Sequence, residues 1–109
     1  MVYVSSGAVY GKCGIINTDI EVNPYGVMKH QDECFFMELA HKNSISLIIP
    51  RVFGLLGEFI NKHEIYAVTN FLLQAIKTNT IQINAKSRVF RSYIDVYELI
   101  EICLKYLND

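Results

Sequence analysis

An excess of charge of one sign and long apolar runs are both missing from this sequence. Ten basic and eleven acidic residues are interspersed over 109 positions and leave a net charge of −1. Such a chain lacks the basic surface that binds nucleic acid or anionic lipid. No apolar run approaches the ~18 residues needed to span a bilayer, and no basic and apolar leader is visible. We therefore expect a cytoplasmic protein that binds neither nucleic acid nor membrane.

Cysteine is also scarce, and its spacing forms no recognisable motif. Cys13, Cys34 and Cys103 are an odd number, lie far apart in the chain and form no Cys-x-x-Cys pair. This pattern is typical of reduced thiols in the core of a cytosolic protein. The sequence therefore predicts no metal site and no redox role for these residues.

Apolar residues make up 51% of the chain, which is enough to bury a core, and they form alternating strand-like and helical segments. Strands are predicted at residues 1–4, 45–53 and 80–84, and helices at 24–41, 68–76 and 96–107, with Asp95 as the N-cap of the last helix. The glycine-containing residues 54–59 are predicted to form a loop. This alternation favours an α/β fold with parallel strands. Because so few strands and helices would leave the sheet uncovered, we expect the chain to be incomplete as a domain.

The stretch "VYVSSGAVYG" (residues 2–11) combines a strand-like run, two serines and the first two of three closely spaced glycines. A loop that binds dinucleotide phosphates needs a strand, then glycines, and then at once a helix. Here "IINTDIEVNPYG" follows instead, with β-branched residues, turn signals and a proline. Neither Gly-x-Gly-x-x-Gly nor a P-loop motif occurs. Gly7, Gly11 and Gly14 therefore do not predict a dinucleotide-binding loop.

The two serines of this stretch support a different interpretation. Ser5 or Ser6 would lie at the carboxyl end of a parallel strand, where open α/β sheets bind their ligands. The simpler alternative is that two small hydroxyl side chains merely end the strand.

Tyr25 and Lys29 favour the interpretation as a site. Residues four apart lie on one face of a helix, and an ammonium about one turn from a phenol favours the phenolate. A tyrosine held in this way can exchange a proton with an alcohol while a serine hydroxyl bonds the same oxygen. Taken alone, the Tyr-x-x-x-Lys spacing is weak, since it also fits a solvated pair on a helix surface.

Four segments together resemble the extended short-chain dehydrogenase/reductase family, within it the nucleotide-sugar epimerase/dehydratase branch. They are "VYVSSGAVYG", "NPYGVMKHQDE" with its Tyr-x-x-x-Lys, "IIPRVFGLLGE" and "RVFRSYIDVYELIEICL". The resemblance covers nearly the whole chain in the family's order. It implies the C-terminal portion of a Rossmann-like parallel sheet with helices, in residues 1–53. Residues 54–109 would supply part of the small substrate-binding domain and the closing helix.

The family's N-terminal βαβ units, with their glycine-rich dinucleotide loop, have no counterpart in this sequence. We therefore expect a truncated form of the enzyme, with little affinity for NAD or NADP and no activity on its own.

The resemblance implies roles for five residues. Ser6 matches the catalytic hydroxyl, and Tyr25 matches the acid/base. Lys29 matches the residue that binds the nicotinamide ribose and keeps Tyr25 reactive, so Tyr25 and Lys29 would contact NAD or NADP. Arg51 and Arg91 suit the anionic tail of a nucleotide-diphosphate sugar.

The implied reaction is NAD(P)-dependent epimerisation or keto reduction at C4 of a nucleotide-linked sugar. Dehydration is disfavoured, because the family's 4,6-dehydratases have Asp-Glu directly after the catalytic hydroxyl, where this chain has Gly7-Ala8. One alternative is a non-catalytic remnant or interaction subunit, in which the helix after Tyr25, with its "CFFMELA", forms a homodimer. Another is a reductase of small carbonyl compounds.

Overall fold

The computed structural model describes residues 1–12, 14–58 and 66–108. It shows a mixed α/β fold with parallel strands, which confirms the predicted fold class. The elements in chain order are β1 (Ser5–Ser6), a 3₁₀ helix (Gly7–Tyr10), α1 (Pro24–Asn43), β2 (Arg51–Val52), β3 (Leu55–Leu56), α2 (Ala67–Thr78), β4 (Ile94–Asp95) and α3 (Val96–Asn108).

The first sheet pairs β1 with β2 in parallel, with Ser5 opposite Arg51 and Ser6 opposite Val52. Pairing begins earlier than the strands themselves, because the amide of Tyr3 donates to the carbonyl of Ile48 at 3.0 Å. The predicted strands at 1–4 and 45–53 therefore pair with each other, but the strands themselves are shorter and lie at Ser5–Ser6 and Arg51–Val52. Since the strands run in parallel, their carboxyl ends meet at one edge.

The second sheet pairs β3 with β4 in parallel, with Leu55 opposite Ile94 and Leu56 opposite Asp95. The predicted loop at 54–59 was therefore wrong at Leu55–Leu56, and its last residue lies outside the described residues. A two-residue strand has little sequence pattern of its own, and its partner lies about forty residues further along the chain.

Helix α1 begins and ends at recognisable signals. Pro24 occupies its first turn, and the side chain of Asn23 accepts a hydrogen bond from the amide of Gly26 at 3.3 Å. The helix ends where Ser44 adopts a left-handed conformation with φ of 53°. The predicted helix at 24–41 is thus confirmed and extends by two residues.

Helices α2 and α3 confirm the predictions at 68–76 and 96–107, with small extensions. Asp95 accepts a hydrogen bond from the amide of Tyr97 at 2.8 Å, which confirms its capping role. Leu99 and Cys103 are the buried residues of α3.

The predicted strand at 80–84 was wrong. Ile81 and Ile83 are exposed, and the amide of Gln82 donates to the side chain of Gln74 in α2 at 2.7 Å. The alternating pattern has no neighbouring strand to pair with among the described residues, and a lone strand is not stable in water.

The core of the described chain is small. Its buried apolar residues are Val9, Val27, Ala40, Leu99 and Cys103. The radius of gyration is 16.9 Å, whereas a compact domain of this length has about 13 Å. Cys34 is half-buried and free, Cys103 is buried and free, and Cys13 lies outside the described residues. No helix in the described ranges is long and apolar enough to cross a bilayer.

Candidate active site

A cleft of about 510 Å³ opens at the carboxyl ends of β1 and β2. We call it the central cleft. Three of the five predicted site residues, Ser6, Tyr25 and Lys29, line it. Phe53 and Gly54 line it from the segment after β2, and Tyr66 lines it from the residue before α2.

The two serines of β1 have different environments. Ser5 is buried, and its hydroxyl donates to Glu33 Oε1. Ser6 is half-buried and caps the 3₁₀ helix, because its Oγ accepts a hydrogen bond from the amide of Ala8 at 3.1 Å. A serine hydroxyl carries one donor as well as its lone pairs. Of the two serines, Ser6 is therefore the one that can offer a hydrogen bond to a ligand in the cleft.

Tyr25 reaches the central cleft because the start of α1 approaches the 3₁₀ helix closely. The amide of the Asn23 side chain donates to the carbonyl of Ala8 at 2.7 Å. Gly26 lies against the same carbonyl, and any Cβ at this position would collide with it. Tyr25 thus lines the same cleft as Ser6, with 52% of its surface still exposed.

The ammonium of Lys29 is held by two oxygen atoms. Its Nζ donates to the hydroxyl of Tyr3 at 3.1 Å and to the carbonyl of Val4 at 3.1 Å, and lies 4.8 Å from the centre of the Tyr3 ring. The hydroxyl of Tyr3 in turn donates to Asp32 Oδ2 at 2.7 Å. The hydrogen bond to Tyr3 raises the pKa of Lys29, and burial raises the pKa of Tyr3. We call Tyr3, Lys29 and Asp32 the lysine network.

Sequence reasoning missed Tyr3 and Asp32. One signal was available, since Asp32 follows Lys29 by three residues and shares its side of α1.

Arg51 does not line the central cleft. Its Nε and Nη2 donate to the two carboxylate oxygens of Glu33 at 2.9 and 2.7 Å, and its Nη1 donates to the hydroxyl of Tyr10 at 2.7 Å. Glu33 is only 1% exposed, and Arg51 lowers the pKa of its carboxyl group. With Ser5, these residues form a polar cluster across β1, β2 and α1, which we call the Glu33 network.

The Glu33 network reaches the central cleft through two aromatic rings. The Arg51 guanidinium lies 4.8 Å from the centre of the Tyr10 ring, and Tyr10 stacks on Phe53 with 6.0 Å between ring centres. Phe53 lines the cleft and lies so close to Gly7 that a Cβ there would collide with its ring. The cluster thus supports one wall of the cleft.

Arg91 is exposed and lines a neighbouring groove of about 680 Å³ beside α2, which we call the α2 groove. Phe71 and Tyr93 also line this groove. A Cβ at Gly54 would lie 2.7 Å from the Tyr93 ring. Gly54 also lines the central cleft, so this contact connects a residue of the cleft with a residue of the groove.

The described residues fit one part of a nicotinamide dinucleotide. The Tyr25 hydroxyl and the Lys29 ammonium are suited to ribose hydroxyls. The phosphates have no matching loop in the described ranges, since Gly11 forms a left-handed turn packed against Asn17 and no helix starts there. Nor does any group of three His, Cys, Asp or Glu side chains suitable for a metal ion occur in those ranges.

Comparison with known proteins gives a family and a fold. The model of the NAD dependent epimerase/dehydratase family matches residues 1–109. The fold is similar to that in the crystal structure of the capsular polysaccharide assembling protein CapF from Staphylococcus aureus, with a TM-score of 0.74 at 20% sequence identity. The match covers 98% of this chain and 27% of that protein, so the chain spans about a quarter of its length. No curated protein matches the sequence.

Proposed function

Because the chain belongs to the NAD dependent epimerase/dehydratase family, we propose that its central cleft is the proton-transfer part of an active site for nucleotide-linked sugars. The reaction is epimerisation or keto reduction at C4. One observation carries the proposal, namely that Ser6, Tyr25 and Lys29 line the same cleft although they come from β1 and α1. The parallel pairing of β1 with β2 defines the edge of the sheet at which these three residues meet.

Each of the three residues has a distinct task. Tyr25 removes the proton from the C4 hydroxyl of the sugar and returns it in the reverse step. Ser6 donates a hydrogen bond to the same oxygen and orients it. Lys29 supplies a positive charge about one turn from Tyr25, in the wall of the same cleft.

Bound NAD or NADP would supply hydride transfer, and Tyr25 and Lys29 would contact it through the ribose hydroxyls. Residues 1–53 would thus belong to the cofactor domain and residues 54–109 to the substrate domain.

We assign Arg91 to the diphosphate of the substrate. Its guanidinium is exposed in a groove next to the central cleft, and arginine binds phosphate oxygens through two parallel N–H donors. Arg51 has its donors on Glu33 and Tyr10, so this geometry favours support of the cleft wall over substrate contact.

A homodimer or interaction subunit is the second candidate, and the exposed face of α1 favours it. Met28, Phe35 and Leu39 lie on one side of the helix and are 49%, 60% and 37% exposed. A second copy of the chain would cover this stripe. Sedimentation of the chain and of Phe35→Glu tests this, with a monomer expected only for the variant. A monomeric parent chain would contradict it.

The first test of the catalytic proposal is calorimetry with NAD and with NADP, followed by turnover of nucleotide-linked sugars. In the complete enzyme, whose activity the isolated chain is not expected to have, Tyr25→Phe should lower kcat by at least about 100-fold, since it removes the acid/base group. Tyr97→Phe is the matched control, because this exposed tyrosine lies on α3. Turnover that survives in Tyr25→Phe would exclude the proposal. A folded chain that binds neither cofactor would mean that Ser6, Tyr25 and Lys29 form one part of an active site whose phosphate-binding part is not in these 109 residues.

A further inference from the structure

The ammonium of Lys29 is held in one place by the lysine network and by the carbonyl of Val4. A lysine side chain has four rotatable bonds, and a surface ammonium is normally mobile and well hydrated. Here the Nζ of Lys29 donates to Tyr3 and to the carbonyl of Val4, both at 3.1 Å. An ammonium has three donors. Two are taken by these oxygens, which leaves the third for a ligand in the central cleft.

Tyr3 is itself held on two sides. Its amide bonds to Ile48 at 3.0 Å in the ladder between the first two strand segments, and its ring stacks on Phe36 of α1 with 4.5 Å between centres. The hydroxyl donates to Asp32 at 2.7 Å, so its lone pair faces Lys29. Its position therefore depends on the sheet and on α1, and not on the lysine.

We propose that Tyr3 and Asp32 are positioning residues for Lys29, orienting its ammonium towards the central cleft. Asp32 fixes the direction of the Tyr3 hydroxyl, and the hydroxyl fixes Nζ. The inference deepens the proposed function and rests on it, because it explains how the ribose-binding lysine is held in place.

The charges around Lys29 agree with this arrangement. Tyr3 faces it from the segment before β1, and Tyr25 and Asp32 face it from α1. The hydrogen bond to Tyr3 is the largest cause that raises the pKa of Lys29, and the negative charge of Asp32 acts in the same direction. Loss of either partner would therefore increase the fraction of free amine at a given alkaline pH.

Competitive acetylation measures that fraction directly, without any need for activity. The chain is treated with limiting acetic anhydride between pH 7 and 11, and acetylation of each lysine is read by mass spectrometry. Lys42, exposed in the last turn of α1, is the internal reference. The variants are Tyr3→Phe, which keeps the stacked ring, and Asp32→Asn, which keeps the shape of the side chain.

In Tyr3→Phe we expect the reactivity of Lys29, measured against that of Lys42, to be about threefold higher than in the parent chain. This increase is near the lower end of the effect of one hydrogen bond. Asp32→Asn should show a smaller increase. Glu38→Gln, which removes an exposed carboxylate from the same helix, should leave the ratio unchanged. An unchanged pH profile of Lys29 in Tyr3→Phe would overturn the proposal. If Tyr3→Phe fails to fold by circular dichroism, the profile of Asp32→Asn decides.

Addition of NAD or NADP separates this inference from the proposed function. The cofactor is added at concentrations that offset the weak affinity expected from this sequence. Protection of Lys29 from acetylation in the parent chain then supports ribose binding, and its absence counts against the proposed function alone. In an active protein, Tyr3→Phe should shift the pH profile of kcat/KM, whereas a merely structural role would lower the amount of folded protein and leave the profile in place.

Discussion

Residues 1–58 and residues 66–108 hold their polar side chains in different ways. In the first region the important hydrogen bonds join residues far apart in sequence. Ser5 bonds to Glu33, 28 positions away, and Arg51 bonds to Tyr10, 41 positions away. Each such bond costs the conformational entropy of closing a long loop, and it forms only when the strands and α1 are already packed together.

In the second region the polar side chains bond to near neighbours. Gln74 donates to Asn70 one turn away in α2, and Asp95 caps α3 through Tyr97 two positions on. The residues proposed for proton transfer thus lie in the region held together by long-range contacts, whereas Arg91 lies on an exposed segment of the second region. We therefore expect substitutions in the first region to change the stability of the fold, and substitution of Arg91 to change ligand binding.

Removal of the Glu33 carboxylate is the strongest test of this difference. Glu33→Ala would remove the carboxylate that pairs with the half-buried Arg51 guanidinium and leave it only the hydrogen bond to Tyr10, so we expect a loss of about 3 kcal/mol in the free energy of unfolding. Glu38→Ala, on the exposed side of α1, is the control and should change stability by less than about 0.5 kcal/mol. Urea denaturation measures both. Equal effects of the two substitutions would show that the first region does not depend on the Glu33 network.

Glycine substitutions compare a close contact within the first region with a contact that joins the first region to the second. Gly26→Ala would force α1 away from the carbonyl of Ala8, so we expect a loss of about 2 kcal/mol and a distorted central cleft. At Gly57 a Cβ would lie 3.0 Å from a methyl group of Val96, which can shift by a few tenths of an ångström. Gly57→Ala should therefore cost less than half as much by thermal unfolding. The reverse order would contradict the assignment of the tighter contact to Gly26.

The pH dependence of stability gives a smaller effect with a defined sign. Arg51 lowers the pKa of Glu33 below its ordinary value of 4.5. The ion pair therefore stabilises the fold above the ordinary pKa, and this contribution is lost as pH falls from about 4.5 through the folded value. Unfolding measured from pH 7 to pH 3 should show this loss in the parent chain. Subtraction of the curve for Glu33→Gln isolates it, and parallel curves would refute the ion-pair interpretation.

The smallest change in stability is expected at Arg91. Arg91→Ala should leave the free energy of unfolding within about 0.5 kcal/mol, because the side chain is exposed. If Arg91 binds a diphosphate, the variant should bind a nucleotide-linked sugar about tenfold more weakly, the effect of losing a hydrogen bond to a charged group. Arg88→Ala, in the same exposed segment, is the matched control in calorimetry. Equal weakening in both variants would point to a general charge effect.

Local patterns in the sequence predicted the helices and part of the site well. The caps around Pro24 and the apolar spacing of α2 and α3 depend on neighbours within one or two turns, so they can be read from the chain alone. The four-residue spacing of Tyr25 and Lys29 likewise places both residues on one side of α1, and the structure brings them into one cleft.

Features that depend on distant partners could not be predicted in this way. Leu55–Leu56 forms a strand only because Ile94–Asp95 lies beside it, and residues 80–84 form none because no partner is paired with them in the described chain. Arg51 could be recognised as a phosphate-binding type of residue. Its hydrogen bonds to Glu33 and Tyr10, however, depend on the packing of α1 against β2, which the sequence does not reveal.

The two-residue ladder between β1 and β2 gives the neighbouring serines opposite uses. Ser5 faces a carboxylate in the core, and Ser6 caps the turn at the edge of the cleft. A slip of one residue in this ladder would turn each side chain to the other side of the sheet. The Glu33 network and the ligand-facing hydroxyl would then be lost in the same event. The correct register of this one short pair of strands therefore determines both features, since a misaligned chain would lack a satisfied core as well as a competent cleft.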